Sequence, residues 1–209
     1  MKKPTFLFIL LLFFLKMNAQ FSEQNALYLS GEFNAGNYWG ANLDLNYISQ
    51  NKYSFMLGIS GMFRESPSMP DDYSSGVEMI FTLGLSELHL DLMGTYHVLA
   101  GRIFELNKRR TIRLNAMGGI GYTEVSELTN WRHTGDTWGE NYTYDRIEYG
   151  VISLIVNPKF EFPITRNVGF TASPMLQLNK DRTFIGIGIG AMLGVLRKKT
   201  SNPTNNKVL

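Results

Sequence analysis

The chain has 209 residues, no cysteine, and 20 Lys+Arg against 18 Asp+Glu. A disulfide-stapled secreted fold is therefore excluded, and the near-balance of charge offers no basic surface of the kind that holds nucleic acid. The length suits a single domain of ordinary size.

The first residues speak to compartment. Lys2 and Lys3 precede an apolar run from Phe6 to Leu15, and a short polar stretch then ends at Ala19. This is the layout of a secretory signal peptide over residues 1–19. The run has ten residues, half of the roughly 20 that a helix needs to cross a bilayer, so it reads as cleaved and not as an anchor. With no cysteine after it, a lipid-anchored lipoprotein is excluded. Cleavage after Ala19 removes Lys2, Lys3 and Lys16, which leaves 17 Lys+Arg against 18 Asp+Glu. The slight basic excess thus belongs to the targeting segment.

Beyond Gln20 the dominant signal is a period of two, which sends alternate side chains to opposite faces of a strand. Leu27, Leu29 and Phe33 oppose Tyr28, Ser30, Glu32 and Asn34; Leu43, Leu45 and Tyr47 then oppose Asn42, Asp44 and Asn46. After the polar turn "SQNK", Tyr53, Phe55, Leu57, Ile59 and Phe63 alternate with small residues and methionine. The stretch 88–98 sets Leu88, Leu90, Leu92, Tyr96 and Val98 against His89, Asp91, Thr95 and His97. Past "ELNKRRT", Ile112, Leu114, Ala116, Ile120 and Tyr122 alternate with Arg113, Asn115, Met117 and Thr123. Ile152, Leu154, Val156, Phe160 and Phe162 then oppose Ser153, Asn157, Lys159 and Glu161, and after "TRN" Phe170, Ala172, Leu176 and Leu178 oppose Thr171, Ser173, Met175 and Gln177. The last strand, "TFIGIGIGAMLGV", sets Ile185, Ile187, Ile189, Ala191, Leu193 and Val195 against three glycines and Met192.

These segments make eight strands. Short connections fall near 49–52, 105–110 and 165–167, longer ones at 64–85 and 125–146, and tight bends at Ala35–Tyr38 and Asn179–Arg182. The segment "VEMIFTLGLSE" is open to three readings: an extension of the fourth strand, a loop helix, or an extra strand. Alternation alone does not separate a soluble sandwich from a membrane barrel, but the chemistry of the two faces does. The apolar faces carry too much leucine, isoleucine and phenylalanine for one small interior. The polar faces hold charges of both signs, amides, hydroxyls and glycines, which suits the crowded inside of a narrow barrel. Only a closed barrel lets strands cross lipid without unpaired backbone groups. The expectation is an all-β, eight-stranded antiparallel up-and-down transmembrane β-barrel over residues 20–197, short turns facing the periplasm, with a flexible polar tail over 198–209. Tyr47, Tyr53, Phe55, Phe160, Phe162 and Phe170 lie beside the short turns, where an interfacial aromatic girdle belongs.

On the signal "FLFILLLFFLKMNAQ", the paired strand "TIRLNAMGGIGY" and the final "TFIGIGIGAMLG", the chain resembles small Gram-negative outer-membrane β-barrels of the OmpA and OmpX type. The resemblance implies an outer-membrane location, contact with outer-membrane lipid and with the membrane's assembly machinery, and no catalytic motif. Such barrels usually finish on an aromatic residue, whereas this chain runs on through "VLRKKTSNPTNNKVL".

Pro158 and Pro174 fall inside strands, where every ladder position needs a donor. Counting back from "TRN" makes them direct neighbours facing lipid, so a local kink or bulge is expected there.

Candidate chemistry comes in two groups. Glu32, Asp44, His89, Asp91, His97, Arg113, Lys159 and Glu161 share the inward face. A histidine base with an aspartate orienter and a serine such as Ser86 or Ser60 would make a hydrolase, as outer-membrane lipid acylases do on barrels of this size. A salt-bridge network filling the lumen is the preferred reading, because no turn fixes a serine and no oxyanion site is evident. In the loop "SELTNWRHTGDTWGENYTYDR", Trp131, Trp138, Tyr142 and Tyr144 could stack on an extracellular ligand or partner, or form the loop's own small core. Its carboxylates lack the spacing of a calcium loop, and "GIGIGA" lacks the helix and second strand of a dinucleotide site. No cofactor or metal is implied. The functional expectation is a non-enzymatic envelope or surface protein with a filled polar lumen; a small passive channel comes second, a lipid-modifying enzyme third and a soluble lipocalin-like carrier fourth.

Overall fold

A computed structural model describes residues 24–74, 89–107, 111–135 and 139–196. Within them eight strands form one closed antiparallel barrel: β1 (Ala26–Gly36), β2 (Trp39–Ser49), β3 (Tyr53–Glu65), β4 (Leu90–Glu105), β5 (Arg113–His133), β6 (Tyr142–Pro163), β7 (Val168–Leu178) and β8 (Thr183–Val195). Each strand pairs with its chain neighbour, and β8 closes on β1, so that no edge is left with unpaired donors. Starting at Leu27, one row of partners runs through Tyr47, Phe55, Ala100, Gly118, Val156, Leu176 and Ile185. It comes back to Asn37, whose amide donates to the Ile185 carbonyl, ten residues beyond the start. That stagger is the tilt that lets eight strands close around a core of side chains.

The predicted facing holds along every strand. The buried and exposed positions of β1, β2 and β3 alternate with almost no exception. Leu57 is 59 % exposed, Ile120 61 % and Ile187 56 %, while Lys159 and Asp44 are 0 % exposed. Such an inside-out distribution has no stable solution in water, because apolar side chains that water would drive inward stand outside and charges that water would hold stand inside. The aromatic residues Tyr53, Phe55, Phe160 and Phe170 face outward as expected.

The glycines of β8 have the role that the bare face suggested. A methyl group on Gly188 would run into Asn34, Ser173 and Glu32, and one on Gly186 would meet the Phe184 ring. The turn after β2 has Gln50 and Asn51 at φ 54° and 53°. Both central residues in the left-handed region give the turn geometry that matches the twist of paired strands.

β4 ends at Glu105, as the short connection near 105–110 predicts, but the stretch read as a long loop over 125–146 is mostly strand. There β5 and β6 run on as a paired hairpin, with a register shift between Thr129 and Arg132 and Asn130 at φ 54°. Continued pairing satisfies backbone groups that a bare loop would leave to water. The signal segment 1–19, the tail 198–209, Leu88 and the whole of the ambiguous segment "VEMIFTLGLSE", Ser86 included, lie outside the described residues, as does Trp138.

Pro158 and Pro174 do sit opposite each other on the outer face. The β6–β7 ladder pairs Val156 with Leu176 and Phe160 with Ala172 but skips the three pairs between them, and the register is the same on both sides. The strands therefore part at the prolines without an inserted residue: an open rung, not a bulge. Each proline lacks a donor, so neither can close the gap. Replacing both with valine restores two donors and is expected to raise stability by about 1 kcal/mol, read as a higher urea midpoint in lipid vesicles; an unchanged midpoint would show that the rung stays open for another reason.

Candidate functional site

The inward faces of β1, β2, β4 and β6 bring charge together in the barrel centre. Lys159 Nζ lies 3.1 Å from Glu32 Oε1 and 3.2 Å from Asp44 Oδ2, and donates to Ser30 Oγ at 3.1 Å. The other Asp44 oxygen, Oδ1, meets His97 Nε2 at 3.0 Å, while Asn42 Nδ2 donates to Oδ2 at 2.5 Å. Glu32 Oε2 accepts from Ser173 Oγ at 2.7 Å. Gly58 makes room for this cluster, since a methyl group there would collide with Asp44 and His97. Nearer the end that carries the short turns, Arg113 Nε donates to Glu161 Oε2, and Glu161 Oε1 accepts from Tyr28 at 2.5 Å and Asn115 at 2.9 Å. Six of the eight inward candidates thus belong to these two connected clusters.

The other two lie elsewhere. Asp91 joins an ionic cluster nearer the loop-bearing end, 3.4 Å from Arg64 and 3.7 Å from Arg182, with Arg182 also 2.8 Å from Glu127. His89 is not in the lumen. It precedes β4, beyond the paired strand, and its Nε2 meets the Tyr73 hydroxyl at 2.7 Å and Glu140 Oε1 at 3.0 Å. Extrapolating the alternation by one residue past the strand end placed it wrongly. Arg64, Glu127 and Arg182 escaped sequence reasoning because they fell in segments read as loops. Arg64 has the same parity as the inward Met62, and Glu127 the same as Val125, which is the signal that could have found them.

The lumen is also less polar than expected. Met56, Met62, Met93, Met117 and Met175 pack with Leu99, Ile155 and Phe184 in a buried apolar cluster, and Tyr28, Ile48, Ile103 and Met192 form a second. Methionine fills irregular space well, which suits a core walled by alternating strands instead of by another layer. The described inward faces thus carry an ion network and apolar packing together.

At the loop-bearing end, aromatic rings close on one another. Ring centroids are 4.9 Å apart for Tyr73–His89, 5.2 Å for His89–Tyr144, 5.0 Å for Tyr144–Trp131 and 5.4 Å for Trp131–Tyr73. These four contacts make a closed circuit at ordinary packing distance. Tyr142 adds an edge contact to Trp131 at 6.5 Å and donates to Asp72 at 2.8 Å. Residues 66–74 are thereby stitched across the β5–β6 hairpin, with Trp131 Nε1 donating to Ser68 and Asn141 Nδ2 to the Asp72 carbonyl. Burial, and then the neighbouring Glu140 carboxylate, pushes the Tyr73 hydroxyl well above the usual phenol range.

Together, the closed ring of strands and the inside-out polarity define a small transmembrane β-barrel. No family model matches the chain, and no curated protein sequence matches it. Among solved structures, it is similar to the N-terminal β-barrel domain of Pseudomonas aeruginosa OprF, with a TM-score of 0.50 and 10% identity over 83% of this chain and 99% of that one. It is also similar to Ail, the attachment invasion locus protein of Yersinia pestis, with a TM-score of 0.46 and 14% identity over 81% of this chain and 95% of that one. Neisserial surface protein A gives 0.46 and 10% over 82% and 97%. The chain shares the fold of small outer-membrane β-barrels.

Two consequences are measurable. Lys159→Met takes the ammonium from between the buried Glu32 and Asp44 carboxylates, so a loss of about 3–5 kcal/mol in urea unfolding is expected, partly recovered when Glu32→Gln is added. Trp131→Ala opens the aromatic circuit but not the barrel. Chymotrypsin is then expected to cut the folded protein after Tyr73 at least tenfold faster than wild type, by gel densitometry.

Proposed function

We propose that this protein is a non-enzymatic outer-membrane β-barrel of a Gram-negative envelope, with a sealed lumen and a surface role carried by its loop-bearing end. Residues 1–19 direct export, and the assembly machinery of the outer membrane inserts the mature chain. The observation that carries the reading is the reversal of polarity: leucine and isoleucine stand outside, and Lys159, Glu32 and Asp44 are wholly buried inside. Hydrocarbon is the solvent that stabilises the first, and mutual pairing stabilises the second.

The lumen supports a structural role over a channel. An ion-paired, hydrogen-bonded network and a methionine-rich cluster occupy the space that a bore would need, and eight strands leave little more than that. Against an acylase, His97 Nε2 is engaged by Asp44 and its Nδ1 has no hydroxyl partner. A base oriented in this way has no nucleophile to activate.

At the outer surface, the β5–β6 hairpin and residues 66–74 form one ordered platform bearing Trp131, Tyr142 and Tyr144 with Asp72, Glu140 and Asp145 around them. Packing the rings on one another removes the entropy cost of ordering them at the moment a partner binds. An extracellular ligand or protein is the partner this platform suits.

Folded protein in sodium dodecyl sulfate is expected to migrate differently before and after boiling, and to show no stable conductance steps in planar bilayers. Identical mobility would refute the membrane barrel; regular conductance steps would refute the sealed lumen but leave the barrel standing.

A further inference from the structure

Most cations on the barrel wall and in its lumen have a carboxylate: Lys159, Arg113, Arg64 and Arg182 are all paired. At the turn-bearing rim Lys52, Arg102 and Arg166 are different, and the first two stand over aromatic rings. Arg102 stands on the outer face of β4, directly opposite Tyr53 on β3 and Ala116 on β5. Its guanidinium is 5.5 Å from the Phe104 ring centre, and the neighbouring Lys52 Nζ is 5.1 Å from the Tyr53 ring centre. Among the described residues, neither Lys52 nor Arg102 forms an ion pair.

The surroundings say what kind of anion fits. One row toward the middle of the wall, the outward positions are Phe55, Ala100 and Gly118, and beyond them Leu57, Val98 and Ile120. The cations therefore sit at the border of the apolar belt, where long basic side chains reach toward headgroups and aromatic rings anchor the interface. Ala116, Ala100 and Gly118 put small side chains beside the bulkier Phe55 and Pro158. A soluble anion could use the charges alone; a lipid could use the charges and this stretch of small outward residues together.

We propose that Lys52 and Arg102 hold the phosphodiester headgroup of an anionic phospholipid, with an acyl chain lying over Ala100, Ala116 and Gly118. The two flanking rings keep the cations extended along the rim, and with no carboxylate paired to them among the described residues their charge is left for the lipid. The site rests on the membrane reading above. Under that reading the rim faces the periplasm, so the ligand comes from the inner leaflet.

The test uses the full mature chain in nanodiscs of equal phosphatidylglycerol and phosphatidylcholine, with lipids retained after gentle release counted by native mass spectrometry. Wild type is expected to retain phosphatidylglycerol in preference, and Lys52→Gln with Arg102→Gln to lower that preference by about fivefold for each charge removed. Lys180→Gln, at the opposite end, should leave it unchanged. Equal retention of the two lipids by inserted wild-type protein, or no effect of the double substitution, would overturn the assignment. So would binding of inorganic phosphate in zwitterionic micelles that depends on Lys52 and Arg102, since that would make the site one for a soluble anion. Failure of the wild-type chain to insert at all would instead strike the membrane reading, and boiling-dependent mobility tells the two failures apart.

Discussion

A strand in hydrocarbon has no water to satisfy its peptide groups, and that constraint organises the whole molecule. Pairing β8 with β1 removes the last free edge, and the tilt that closure demands fixes which residues share a level. Once the ring is closed, each side chain has only two destinations, lipid or lumen. The strict alternation of the sequence is the imprint of that binary choice, and it explains why an isoleucine-glycine repeat can be stable: isoleucine is solvated by lipid, and glycine yields its space to Asn34, Ser173 and Glu32.

The interior answers to a second physical limit. Burying charges in a narrow barrel is costly unless each finds its counterpart at short range. Lys159 meets two carboxylates and a hydroxyl, and Arg113 meets Glu161 with help from Tyr28. Buried apolar clusters lie beside them. Methionine is a natural choice there, because the space between six strands of a curved wall is irregular and an unbranched side chain adapts to it. Ion network and methionine packing are two solutions to one problem, that of filling a cylinder whose walls cannot move inward.

The proposed function draws on the difference between the two ends. At one end, strands outgrow the belt and carry an aromatic platform whose rings are already packed; at the other, turns are short and two cations stand over aromatic rings. On the proposed reading the first end recognises something in solution and the second holds a headgroup. The open rung at Pro158 and Pro174 lies between them, a local loss of pairing that the flanking rungs tolerate because they hold the same register.

The sequence by itself determined the strand count, the facing of nearly every residue and the inside-out polarity, because a period of two is a local property of one strand and needs no partner to be read. It even brought Pro158 and Pro174 opposite each other, since a short turn fixes the register of the strands it joins. What only the tertiary structure decided was which inward residues meet. Lys159, Asp44 and His97 come from three strands, and their contact depends on the stagger of the closed barrel, which no single strand encodes. His89 and Asp91 differ by two residues and share a parity, yet one joins an aromatic cluster and the other an ionic one. The end of strand pairing between them is set by partners far along the chain, so alternation loses its meaning where pairing stops.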